Sequence, residues 1–138
     1  MRTVGSALVG AAALLVISAP SHAQQQDAVA EAATKLYSAC ITNIGGTPAE
    51  CGCVTGFFAA HTEDDEFRIL ATLIPFLDAE GEITDQEALL RSLKTERTRI
   101  GMSEQRFAQV MDSFEKMGAL GEEADRYCVP VGLESGER

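Results

Sequence analysis

Four cysteines, at positions 40, 51, 53 and 128, constrain this chain more than any other feature. Two of them stand one residue apart in Cys51-Gly52-Cys53. What they can do depends on the compartment, and the N-terminus speaks to that. Arg2 is the only charge before Asp27, and an apolar segment runs from about Val4 to Ile17 into Ser18-Ala19-Pro20 and Ser21-His22-Ala23. A short positive start, an apolar stretch of roughly 7 to 15 residues and a small-x-Ala motif form the pattern of a secretory signal peptide. The run is shorter than the roughly 18 residues of a spanning helix. Cleavage is expected after Ala23, giving an exported protein, periplasmic or secreted, with no membrane span. Removing 23 of the 138 residues leaves 115, enough for one helical domain over 24–138 with a modest core.

Thiols in an oxidising compartment read as a disulfide framework, and four cysteines allow three connectivities. A bridge between Cys51 and Cys53 would close a very small ring, strained and easily reduced, which is what a thiol redox protein exploits. Such a protein has no need of Cys40 and Cys128, and a CxxC near a βαβ pattern is absent. The framework explains all four. Cys40 lies as far before the turn at Gly45-Gly46 as Cys51 lies after it. Cys40–Cys51 with Cys53–Cys128 is therefore favoured, and Cys40–Cys53 with Cys51–Cys128 is its close competitor. A Cu(I) site using Cys51, Cys53, His61 and one of Met102, Met111 or Met117 is a weaker third reading, since no methionine cluster accompanies the cysteines. No CxxCH occurs, so no haem attachment is expected.

Acidic residues outnumber basic ones by 21 to 11, a net charge of −10 that becomes −11 without Arg2. That balance argues against nucleic acid and anionic membrane surfaces as partners.

Apolar residues recur at helical spacing throughout. A first helix is predicted over about 27–43, with Val29, Ala33, Leu36, Cys40 and Ile44 on its inner stripe, ended by Gly45-Gly46. Thr47-Pro48-Ala49-Glu50 is a capping box that opens a second helix reaching about His61. Thr62-Glu63-Asp64-Asp65 opens a third, kinked at Pro75 and broken at Gly81. Thr84-Asp85-Gln86-Glu87 is another capping box, opening a fourth helix with Leu89, Leu90, Leu93 and Ile100 that stops at Gly101. Ser103 caps a fifth, with Phe107, Val110, Met111 and Phe114 inward. After Gly118 to Gly121 a short helix is predicted to Cys128, stopped by Pro130, with 131–138 a frayed tail. The expected fold is all-α, a compact bundle of five or six short amphipathic helices stapled by disulfides.

Between the third and fourth helices lies Phe76-Leu77-Asp78-Ala79-Glu80-Gly81-Glu82-Ile83-Thr84-Asp85-Gln86-Glu87. This stretch resembles an EF-hand loop, with Gly81 at the turn position, Ile83 at the packing position and Glu87 at the bidentate position. The resemblance implies Asp78, Glu80, Glu82, Thr84 and Glu87 as calcium ligands. It departs from the family at the first position, where Phe76 stands in place of an aspartate, so any affinity would be millimolar. Glycine followed by Thr-x-x-Glu is also how an ordinary helix–turn–helix junction reads.

The remaining polar residues suggest no catalytic set. His61 is the only histidine after Ala23 and falls at a helix end. The acidic runs Glu63–Glu66 and Glu122–Asp125 open helices, where the dipole favours them. Arg91, Lys94, Arg97 and Arg99 make one helix basic, a stripe read first as the complement of Glu87, Glu96 and neighbouring helices. The sequence points to a binding module without cofactor, whose partner is another exported or envelope protein. A redox protein using Cys51 and Cys53 is its rival, and a weak calcium binder its second rival.

Overall fold

The computed structural model describes residues 21–134, and within them every regular element is helical. Helix α1 spans His22–Ala39. It starts five residues before the predicted 27 because Ser21 and Gln24 cap each other: the Gln24 amide donates to Ser21 Oγ and the Ser21 amide to Gln24 Oε1. The predicted cleavage point after Ala23 thus falls in the first turn of α1. The rest of the predicted leader, 1–20, lies outside the described residues, as do 135–138 of the predicted tail.

From Cys40 to Ile44 the helix widens into a π turn and ends at Gly45, whose φ of 77° suits glycine. The widened turn swings Asn43 outward, where its Nδ2 donates to the carbonyls of Pro75 (3.0 Å) and Leu77 (3.3 Å). Helix α2, Pro48–His61, begins at the predicted capping box: Thr47 N–H donates to Glu50 Oε2 and Glu50 N–H to Thr47 Oγ1.

Helix α3 covers Asp64–Leu73, capped by Glu63 rather than Thr62, whose hydroxyl instead donates to the Phe58 carbonyl. The α-helix stops before Pro75 and passes into a 3₁₀ turn, Ile74–Phe76, instead of kinking and running on to Gly81. Helix α4, Gln86–Ile100, is capped by Asp85, which accepts from Ala88 N–H at 2.9 Å. Thr84, the predicted cap, is occupied elsewhere: its hydroxyl donates to the Phe76 carbonyl.

The largest departure is α5. It runs unbroken over Glu104–Glu134, 31 residues, through Gly118, Gly121 and Pro130. A mid-helix glycine costs about 1 kcal/mol relative to alanine, which tertiary packing readily offsets. Here α2 packs along the C-terminal part of α5, Ala124 and Cys128 are buried, and Phe57 meets Tyr127 at a ring distance of 5.9 Å. The fifth and sixth predicted helices are therefore one, and it is not short.

Helix α3 sits at the centre. Ile69 enters one cluster with Leu89, Leu93, Met102 and Val110 of the α4–α5 side. Phe67 and Ala71 enter another with Ala32 and Leu36 of α1. The fold is an all-α bundle whose first half is fastened to α3 and whose ends meet on α2.

Candidate functional site

The two cysteines of Cys51-Gly52-Cys53 serve different bridges. Residues two apart on a helix project in roughly opposite directions, so Cys51 faces the end of α1 and Cys53 faces α5. Cys40–Cys51 and Cys53–Cys128 form, each with a Cα–Cα separation of 5.6 Å, and no cysteine is free. This is the favoured connectivity. Cys51 and Cys128 are almost wholly buried. Gly46 closes over the first bridge: a Cβ there would lie 2.7 Å from Cys51 Sγ and 3.1 Å from Cys40 Sγ. The copper set does not assemble, because its two cysteines are bonded elsewhere. His61 stacks on Phe57 at 4.0 Å with Nδ1 2.7 Å from the Phe57 carbonyl.

The EF-hand-like loop is folded shut by its own backbone. Asp78 Oδ1 accepts from the amides of Glu80 (3.0 Å) and Glu82 (2.9 Å), and Gly81, at φ 82°, closes the turn. Leu77 and Ile83 pair as an antiparallel bridge, and Thr84 N–H donates to the Phe76 carbonyl. Glu87 pairs with Arg91 one turn along α4, and Ile83 is half exposed instead of packed. Calcium takes six to eight oxygens. Among the described residues no group of three or more His, Cys, Asp or Glu side chains is placed to hold a metal ion. Micromolar calcium is expected to leave the melting temperature unchanged in a thermal unfolding assay; a rise of several degrees would show that the loop recruits other ligands.

Charge is concentrated in two clusters that join helices. In the first, Arg106 of α5 clamps the start of α3: its Nε lies 2.9 Å from Asp65 Oδ2, and its terminal nitrogen 2.8 Å from both Asp65 Oδ1 and Glu63. Hydrogen bonding to Arg106 holds the Asp65 carboxyl below its usual range. A carboxylate depressed in the folded state stabilises the fold above its unfolded pKa, about 3.9, and that contribution is lost as pH falls through the folded value. Asp65→Asn should therefore be less stable than the parent at neutral pH, with the gap closing below about pH 4 in urea titrations. A gap that persists unchanged into acid would show that the clamp acts through shape alone.

The second cluster was the least visible in the sequence. Glu96 lies at 7% exposure within the inner stripe of α4, between Leu93 and Ile100. Arg68 of α3 contacts its Oε1 through Nε (2.8 Å) and a terminal nitrogen (2.7 Å), and Arg99 contacts Oε2 at 3.1 Å. Arg99 reaches on to Glu31 of α1 at 3.3 Å, which Lys35 also holds at 2.9 Å. Arg97 pairs with Glu104 and lies over the Phe107 ring. The basic face of α4 thus complements neighbouring carboxylates at Arg91, Arg97 and Arg99, as its pattern suggested. The signal for the rest was a carboxylate in an apolar stripe and the spacing of Glu31 and Lys35; Arg68 gave none.

No helix among the described residues is long and apolar enough to cross a membrane. Comparison of the chain with protein-family models, with curated proteins and with solved structures finds no match.

Proposed function

We propose that this protein is an exported binding module, held in one shape by two disulfides, whose partner is another exported or envelope protein. The observation that carries the reading is the fate of Cys51-Gly52-Cys53: its thiols anchor α2 to two different elements, the end of the first helix at Cys40 and α5 at Cys128. A redox protein needs both sulfurs in one accessible, exchangeable pair, whereas Cys51 and Cys128 are buried. Export is supported by the bridges, which persist in oxidising compartments, and by the predicted leader. Alkylation of the unfolded, unreduced protein should find no free thiol, and both bridges should survive equilibration at about −200 mV in glutathione buffer. Reduction of either bridge at that poise would favour the redox protein instead.

A further inference from the structure

The second charge cluster has a property that packing does not require. Its chain of contacts, Lys35–Glu31–Arg99–Glu96–Arg68, sets three cations against two carboxylates. One positive charge is in excess, in a molecule whose net charge is −10. Burying Glu96 to bring two guanidiniums together is poor value for stability, because apolar residues replacing the whole ion pair would commonly do as well. What the arrangement does achieve is to fix cations beside open space. A cleft of about 260 Å³ opens between α1, α3 and α4, walled by Lys35, Thr72, Arg91, Thr95, Arg99 and the edge of Glu96. A second, of about 360 Å³, shares Arg99 but is walled by Asp64 and Asp65 at the start of α3 and is less suited to an anion.

The two carboxylates of the cluster are not equivalent. Glu96 is buried and cannot leave without stranding Arg68. Glu31 is half exposed, and its contact with Arg99 is long and open to solvent, a kind of pair that contributes little. We propose that the cleft between α1 and α4 binds a small dicarboxylate, one end of which takes the place of Glu31 between Lys35 and Arg99 while the other meets Arg91. With Glu31 turned aside and Arg91 turned in, Lys35, Arg68, Arg91 and Arg99 face Glu96 alone, an excess of positive charge that a dianion largely offsets. Arg91 is free to turn inward, since its pair with Glu87 lies in solvent with both side chains mostly exposed. Arg91 and Arg99 are two turns apart, about 12 Å along the axis, a span that two long side chains close onto a short ligand. An acidic macromolecule is disfavoured by repulsion from the net negative surface. The cleft's volume also suits a small molecule better than a peptide. This site goes beyond the protein partner proposed above.

The test is titration of the intact protein with succinate, followed by NMR of the α1 and α4 amides, with acetate and inorganic phosphate as parallel arms. Saturable shifts centred on Lys35 and Arg99 are expected with succinate and much weaker ones with the other two. Glu31→Gln should tighten succinate binding by about fivefold by removing the internal competitor. Arg99→Gln and Lys35→Gln should each weaken it, and both positions are exposed enough for the variants to fold. Absence of saturation in both the parent and Glu31→Gln overturns the proposal. So does phosphate or acetate binding as tightly as succinate, or unchanged affinity in both cation variants. A silent cleft with redox-inert bridges sinks this site and leaves the binding module standing, whereas an exchangeable cysteine pair sinks the binding module itself.

Discussion

Replacing Cys53 and Cys128 together with serine is expected to destabilise the fold by about 4.5 kcal/mol, the chain-entropy value for a loop of this length. The bridge spans 75 residues, and it ties α2 to the far end of α5. Domains of this size have a total stability of about 5–15 kcal/mol, so the variant should sit near its folding threshold. The loss should appear first in α5, whose C-terminal part is held by α2. The companion variant, Cys40→Ser with Cys51→Ser, opens a bridge of 11 residues and should lose only about 3 kcal/mol. Guanidinium unfolding of the two double variants, read by far-ultraviolet circular dichroism, compares them directly. If opening the long bridge costs no more than opening the short one, loop length is not what governs the stability.

The second large effect concerns Glu96. Changing it to leucine places an apolar side chain in an apolar stripe, yet a loss of about 3 kcal/mol is expected, because removing one partner of a buried pair leaves the other charge uncompensated. Arg68 is that charge, with its side chain at 13% exposure. Changing Arg68 to leucine as well should recover most of the loss, since a buried ion pair replaced whole by apolar residues is often neutral or better. Urea unfolding of Glu96→Leu and of the Arg68→Leu/Glu96→Leu double variant decides it. A double variant less stable than the single one would mean that Arg68 has other partners worth more than Glu96.

Much of the architecture was legible because it is locally encoded. The Thr47–Glu50 capping box and the glycines at 45 and 101 each act within one turn of themselves, and the structure places those boundaries where they point. The stripes were legible in part: Leu36, Cys40, Leu89 and Leu93 are buried, whereas Ile44 and Leu90, expected beside them, are exposed. The bridges were legible in part for a related reason: the turn position brings Cys40 opposite Cys51-Gly52-Cys53 and favours Cys51 over Cys53 only narrowly, and the structure pairs Cys40 with Cys51. Misreadings came where distant packing outweighed a local rule. Gly118 and Gly121 read as a break, but the helix runs on through them to Ala124, Tyr127 and Cys128, where α5 is packed and bridged to α2. Thr62 and Thr84 read as caps, but each hydroxyl is taken by a carbonyl, and the next residue does the capping. The candidate cleft was the hardest to see, since its members come from three helices and Arg99 meets Glu31 across 68 positions of sequence. Its traces in the sequence were the basic residues of α4, the spacing of Glu31 and Lys35, and Glu96, a carboxylate in a stripe that should have been apolar.

The ring closed by Cys53 and Cys128 has one more consequence. Its circumference includes α3, α4, most of α5 and the exposed turn at Ala79–Asp85. A protease that cuts that turn severs the backbone but separates nothing, because both new ends remain on the same covalent circle. The nicked molecule gains the mass of one water and keeps its two halves together at the effective concentration of a tether. Damage at this exposed turn becomes a scar rather than a loss.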